Sequence, residues 1–415
     1  MGLDKAVGLG ETVGGDGIGK VALVHDDLVQ AGGAERVVVA LHDIFPHAPV
    51  FTSLYVPKAT FDAFRGMDIR TSFLQKTPFA SRRLHKLALP YFPAAFEGFD
   101  LSGFDLVLSN TTRFAKGVIT PPETCHVCYC HTPPRFAWRP QDYFAQNSTA
   151  RTLAPLMRGM MTDLRIWDLA ASQRVDFFVA GSQNAARRIR KYYRRDSAAV
   201  IYPPVETARY APVGPGQVGR HFLAVSRLVG YKRIDLAIAA CNLLGAELRI
   251  VGTGPEMAVL RRKAGPTIRF LGRLPDAEVA DEYARCRAFV FPGEEDFGLT
   301  PLEAMASGRP VVAYGAGGAL ETVVAGRTGL FFGEQTAESL AGALKQLDSQ
   351  SFVPQELRSH AEGFDIHVFR DQMSRFAEWA VEEHRLQIGA GQIGERPEQR
   401  QVRVPYPPPP SVARR

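Results

Sequence analysis

Short apolar runs, each followed by glycines and then by a stretch with helical spacing, recur along the 415-residue chain. Residues 21–24, 105–109, 126–129 and 175–180 form a first set, and residues 222–225, 248–251, 268–271, 289–291, 311–313 and 328–332 a second. Near-continuous apolar runs of this length suit parallel strands covered on both faces. Helical spacing over 37–41, 234–244, 336–347 and 364–383 supplies covering layers, and Ser182 stands where it would cap a helix carrying Arg187 to Arg195. The pattern predicts an α/β protein of two Rossmann-like, doubly wound parallel-sheet domains, residues 21–206 and 218–363, facing each other across a cleft. A linker rich in proline and glycine, 207–217, joins them. The glycine-rich lead 1–20 and the polar tail 388–415, with its prolines 407–410, are expected to be disordered.

Composition narrows the picture slightly. A 46% hydrophobic share is that of an ordinary globular protein, and 49 Lys and Arg against 43 Asp and Glu leave a net charge of +6, which favours acidic partners. No apolar run approaches the ~18 residues that span a bilayer, and the lead lacks a signal peptide's apolar core, so a cytoplasmic protein is expected. Five cysteines, an odd number, point to reduced thiols rather than a disulfide framework. Cys125, His126, Cys128, Cys130 and His131 match no standard zinc spacing, and buried strand cysteines account for them better. Residues 71–99 interleave Arg82, Arg83, His85 and Lys86 with Phe73, Leu74, Phe92 and Phe96. That mixture fits a helix on an anionic membrane surface, or a helix with one solvated face.

The candidate chemistry lies where strands end. Residues 289–313 read as strand, glycine loop, short helix and strand, with Thr300 expected as cap, Pro301 in the first helical position and Glu303 completing a capping box. The backbone N–H groups of Phe297, Gly298, Leu299 and Thr300 would then point at an anion, with the helix dipole behind them. Glu295 and Glu303 flank that spot, and carboxylates there suit sugar or ribose hydroxyls. Arg227 and Lys232, in the loop after 222–225, suit a diphosphate, the arginine by bidentate bonds and the lysine as a point charge. Gly32 and Gly33 let the backbone approach a ligand, or merely make a tight turn. His131 sits just past a strand end in a prolyl turn, where it faces a cleft or serves structure alone.

These residues resemble the retaining glycosyltransferases of family 4, which have the GT-B fold, over roughly residues 21–383. The most specific element is Glu295, seven residues, then Glu303, supported by Ser226, Arg227, Leu228 and Lys232. The resemblance implies that Glu295 holds donor-sugar hydroxyls and Glu303 the donor ribose. Arg227, Lys232 and the amides of 297–300 would bind the diphosphate and stabilise its charge as the sugar leaves, without a metal or cofactor. It also brings Gly32 and Gly33 to the donor phosphates, His131 to the transferred sugar, and a final helix, 364–386, back to the first domain. Val24-His25-Asp26, Tyr129 to Pro133, Glu294 to Gly298 and Tyr314 to Gly318 look most like bacterial mannosyltransferases of surface polysaccharide synthesis. The implied donor is GDP-mannose, with a UDP-sugar as alternative, and the implied acceptor is a glycan or polyprenyl-diphosphate-linked glycan, met through peripheral membrane contact at 71–99.

Three rival readings have less support. An epimerase or phosphorylase of the same architecture needs acid/base residues or a cofactor lysine that cannot be placed. A nucleic-acid-binding protein would need a recognised module, and the charge gathers on one helix instead. An inactive relative would not need Glu295, Glu303, Arg227 and Lys232 together.

Overall fold

The computed structural model describes residues 17–78, 85–139 and 148–389. The first sheet consists of β1 (Val21–His25), β2 (Val50–Thr52), β3 (Ile69–Thr71), β4 (Leu106–Thr111), β5 (Cys125–Cys130), β6 (Phe177–Ala180) and β7 (Ala199–Val200). Its order is β3-β2-β1-β4-β5-β6-β7, and every pairing is parallel. The second contains β8 (Phe222–Val225), β9 (Leu248–Val251), β10 (Ile268–Gly272), β11 (Ala288–Phe291), β12 (Val311–Tyr314) and β13 (Gly329–Phe332), in the order β10-β9-β8-β11-β12-β13, again all parallel. Both are Rossmann-like. In each, strand order reverses once, between β1 and β4 and between β8 and β11, and the crevice at the carboxyl ends of such a pair is where open α/β sheets bind ligands.

β1, β4, β5, β6 and β11 are buried along their whole length, which is why they read as unbroken apolar runs. The helix Ile234–Leu244 covers one face of the second sheet through Ile234, Ala237, Ile238 and Cys241. The helix Ile366–Gly389 packs Phe369, Met373, Phe376, Ala377 and Ala380 into the core of the first sheet. Paired backbone bonds, Val205 N–H to Phe364 O and Ile366 N–H to Val205 O, fasten the two connecting strands to each other.

The 71–99 region differs from the amphipathic helix expected of it. Its described parts are two 3-10 turns, Phe73–Lys76 and His85–Tyr91, and the short helix Phe92–Glu97. Leu74, Phe92 and Phe96 are buried, while Phe73 and Tyr91 are each half exposed. Arg82 and Arg83 lie outside the described residues, as do the lead before residue 17 and the tail after residue 389. All five cysteines are free and buried. Among the described residues, no helix is long and apolar enough to cross a membrane.

Candidate functional site

The loop 292–298 leaves β11 and runs into the helix Leu299–Ala306. Its entry corrects the expected cap. Gly298 occupies the N-cap with φ +99°, no side chain caps the helix, and Thr300 and Pro301 already lie inside it. The positive φ explains why: a glycine turns the chain sharply enough to start the helix before Thr300 could cap it. A Cβ on Gly298 would lie 2.8 Å from the Phe291 ring. Glu303 is therefore free of the capping box. Its carboxylate accepts from the Tyr283 hydroxyl at 2.8 Å and lies 3.8 Å from the Arg36 guanidinium of the first domain.

Glu295 is ion-paired with Lys232, and both side chains are more than four-fifths buried. Two close backbone approaches hold them there. A Cβ on Gly293 would clash with the carbonyl of Tyr231, at 2.6 Å, and one on Gly317 would clash with that of Glu295, at 2.4 Å. The Gly318 N–H donates to Glu295 O from beneath the loop. Arg227 is exposed at the end of β8. The turn below it contains Gly252 and Gly254, where a Cβ would run into the carbonyls of Ser226 and Leu228, so these glycines serve the packing of the Arg227 loop. The structure thus brings Arg227, Lys232, Glu295 and the free N–H groups at the start of the Leu299–Ala306 helix to one end of the second sheet.

The first domain presents its own strand ends to this place. A Cβ on Gly33 would touch Leu299 at 2.9 Å, so the Gly32–Gly33 turn lies against the start of the second domain's helix. Next to it, the Asn110 side chain donates to Ala34 O at 2.9 Å, which leaves its Oδ1 to accept from His131 Nε2 at 2.8 Å. That fixes the His131 tautomer: Nε2 carries the hydrogen and Nδ1 is the open acceptor. Burial, with the nearby His25 charge adding to it, lowers the His131 pKa to about 4, so the ring is neutral at physiological pH. His25 behaves oppositely. Burial would lower it, but the hydrogen bond and charge of Glu35 outweigh burial and raise its pKa, while Glu35 is lowered in return. Behind these, the buried Asp26 carboxylate accepts from the N–H groups of Thr112, Phe114 and Ala115 and the hydroxyls of Thr111 and Thr112.

Several contacts across the cleft escape a reading of the sequence. Asp296, beside Glu295, receives Arg135 at 2.8 Å and is also ion-paired with Arg188. Glu321 accepts from the N–H groups of Gln183 and Asn184, at 2.7 and 2.8 Å, at the start of the basic helix Gln183–Tyr193. Ser182 caps that helix, accepting from Ala185 N–H. Arg187, Arg190, Lys191 and Arg194 are exposed, and Arg188 turns to the cleft. The adjacency of Asp296 to Glu295 was the one signal available in the sequence.

Residues 31–209 match the sequence profile described as Glycosyltransferase Family 4, and residues 219–350 that of Glycosyl transferases group 1. The chain is 35% identical over 177 residues to a GDP-mannose-dependent alpha-mannosyltransferase of Mycolicibacterium smegmatis, covering 40% of this chain and 46% of that protein. It is 37% identical over 163 residues to the lipopolysaccharide core biosynthesis mannosyltransferase LpcC of Rhizobium leguminosarum bv. viciae, covering 35% of this chain and 46% of that one. The chain thus spans less than half the length of these curated relatives. Among solved structures it resembles sucrose-phosphate synthase from Thermosynechococcus elongatus, with TM-score 0.66, 19% identity and coverage of 89% of this chain and 100% of that one. It also resembles Anabaena HepE in complex with UDP and glucose, with TM-score 0.63, 19% identity and coverage of 86% and 99%. These likenesses show a GT-B fold, and the chain carries a glycosyltransferase family 4 domain over residues 31–209 followed by a group 1 glycosyltransferase domain over residues 219–350.

Proposed function

We propose that the protein is a retaining hexosyltransferase that moves mannose from GDP-mannose to a glycan or polyprenyl-diphosphate-linked acceptor in cell-surface polysaccharide synthesis. The observation that supports this best is the Glu295–Lys232 pair at the free start of the Leu299–Ala306 helix, opposite Gly33 and His131. Arg227, Lys232 and the N–H groups of Phe297, Gly298, Leu299 and Thr300 bind the donor diphosphate and stabilise the charge that grows on it as the glycosidic bond breaks. Glu295 takes hydroxyls of the sugar, Glu303 those of the ribose, and the Gly32–Gly33 turn lets the first domain's backbone reach the phosphates. Neutral His131 offers Nδ1 as an acceptor to the transferred sugar. Two cations and a helix end supply the charge, so the step needs neither metal nor cofactor.

The GDP-mannose assignment is supported by the name of the Mycolicibacterium relative, a GDP-mannose-dependent alpha-mannosyltransferase, and mannose as the sugar also by that of the Rhizobium mannosyltransferase. The protein works at the inner face of the plasma membrane, with residues 71–99, where Phe73 and Tyr91 stay exposed, as the contact. A thermal-shift screen against GDP, UDP, ADP and their sugars tests the donor, because a ligand stabilises in proportion to the logarithm of its concentration over Kd. GDP and GDP-mannose are expected to raise Tm most, and a shift with UDP alone overturns the mannose assignment.

A further inference from the structure

At the amino ends of β5 and β6, on the side of the first sheet away from the cleft, three side chains from distant parts of the chain converge. They are Cys125 at the start of β5, Asp176 just before β6, and His384 on the final helix. One ligating atom of each, sulfur, carboxylate oxygen and imidazole nitrogen, lies within 4.8 Å of the other two. β5 runs from Cys125 to Cys130, and at about 3.3 Å per residue some 20 Å of chain separates Cys125 from His131, so the cluster is remote from the donor residues.

Its hydrogen bonds prepare it for a cation. His384 Nε2 lies 3.1 Å from the Pro122 carbonyl, which can only accept, so Nε2 carries the hydrogen. In the neutral ring the other nitrogen, Nδ1, is the acceptor, and it lies 3.7 Å from Asp176 Oδ2 on a side chain that is nine-tenths buried. Two acceptors facing each other at that distance are held best by a positive charge between them. A backbone carbonyl on the far nitrogen is also the arrangement that orients metal-bound histidines. Asp176 Oδ2 is itself fixed by the His126 N–H at 2.7 Å.

We propose that Cys125, Asp176 and His384 form a binding site for a divalent d-block cation, zinc by the chemistry of its ligands, which staples the final helix to the first sheet. One thiolate, one imidazole and one carboxylate are zinc's ordinary donors, and a tetrahedral ion at ~2.0 Å from nitrogen and oxygen sets them roughly 3.4 Å apart. The observed 3.7 Å between His384 and Asp176 needs only a small contraction. Asp176 is partly exposed, which leaves room for water as the fourth ligand. On binding, the Cys125 thiol gives up its proton to solvent as the sulfur–metal bond forms, so affinity rises with pH. The ion stabilises the crossing of the Ile366–Gly389 helix and takes no part in transfer.

The test uses the full chain without an affinity tag, freed of metal with a chelator. Titration calorimetry with zinc is expected to give one equivalent bound, and cobalt is expected to produce a thiolate-to-metal absorption band. Asp176→Asn, which keeps the bond from His126 N–H, and His384→Gln should each weaken zinc binding at least tenfold, and Cys125→Ser should abolish the cobalt band. Cys241→Ser, in the second domain, should leave both unchanged. Zinc should raise Tm in the native protein and not in the three variants. Zinc binding that is absent, or that survives Asp176→Asn and His384→Gln in folded protein, overturns the proposal and leaves an ordinary His384–Asp176 ion pair.

Discussion

Asp26 offers the perturbation whose size follows most directly from the structure. Burial alone would raise this carboxyl, but Arg113, His25 and the N–H groups of Thr112 and Ala115 lower its pKa from 3.8 to about 2. A shift of that size contributes about 2 kcal/mol to stability at neutral pH. Because the folded value is depressed, the contribution is complete above pH 3.8 and is lost as pH falls through about 2. In Asp26→Asn, the amide NH2 must face a backbone N–H, since both carboxylate oxygens accept from the backbone: Oδ1 from Phe114 and Ala115, Oδ2 from Thr112. Losing the charged bonds and opposing two donors costs about 3 kcal/mol in all. Urea unfolding of the native chain and the variant, from pH 2 to pH 7, reads this directly. The stability gap should be about 3 kcal/mol at pH 7 and shrink toward pH 2. A gap under 1 kcal/mol at neutral pH, or one that does not change with pH, refutes the reasoning. Because the 111–115 turn adjoins Asn110, which orients His131, the variant should also lose activity.

Glu295→Gln leaves the Lys232 ammonium, more than four-fifths buried, without its counter-charge and should cost about 1 to 3 kcal/mol, read as urea midpoint; it should also lower kcat by an order of magnitude or more in a transfer assay. Glu303→Gln keeps an acceptor for the Tyr283 hydroxyl and loses the charge that faces Arg36 and Tyr210, so its stability should change by about 1 kcal/mol while KM for the donor rises. A larger loss, read as urea midpoint, would restore the capping role that the structure removes. Gly298→Ala forces a Cβ into the Phe291 ring at φ +99° and should destabilise by about 1 to 3 kcal/mol, with donor binding by calorimetry weakened alongside.

The second domain was the easier part to read. Its central strands are fully covered, so 289–291 and 311–313 appear as unbroken apolar runs, and the helix 234–244 matches the observed Ile234–Leu244. β2 and β3 went unseen because each is only three residues long and β3 is half exposed. The helix Ser148–Gln173 was also missed, since its basic residues and an internal proline blur the helical period. The expected capping box failed because local sequence cannot show that Gly298 adopts a positive φ. Contacts across the cleft were out of reach for a different reason. Arg188 and Asp296 are 108 residues apart, and Gln183 and Glu321 are 138 apart, so only the folded chain brings them together. Cys125 was legible as a buried strand cysteine, whereas its neighbours Asp176 and His384 come from other elements entirely.

A nucleotide sugar bound by Arg227, Lys232 and Glu295 should transfer its hexose with retention. Proton NMR of the product formed from GDP-mannose and a short-chain polyprenyl-diphosphate-linked glycan tests it most directly. An α-linked mannose that disappears in Lys232→Ala is the predicted result. A β-linked product, or an α-linked one formed equally well by Lys232→Ala, would contradict it.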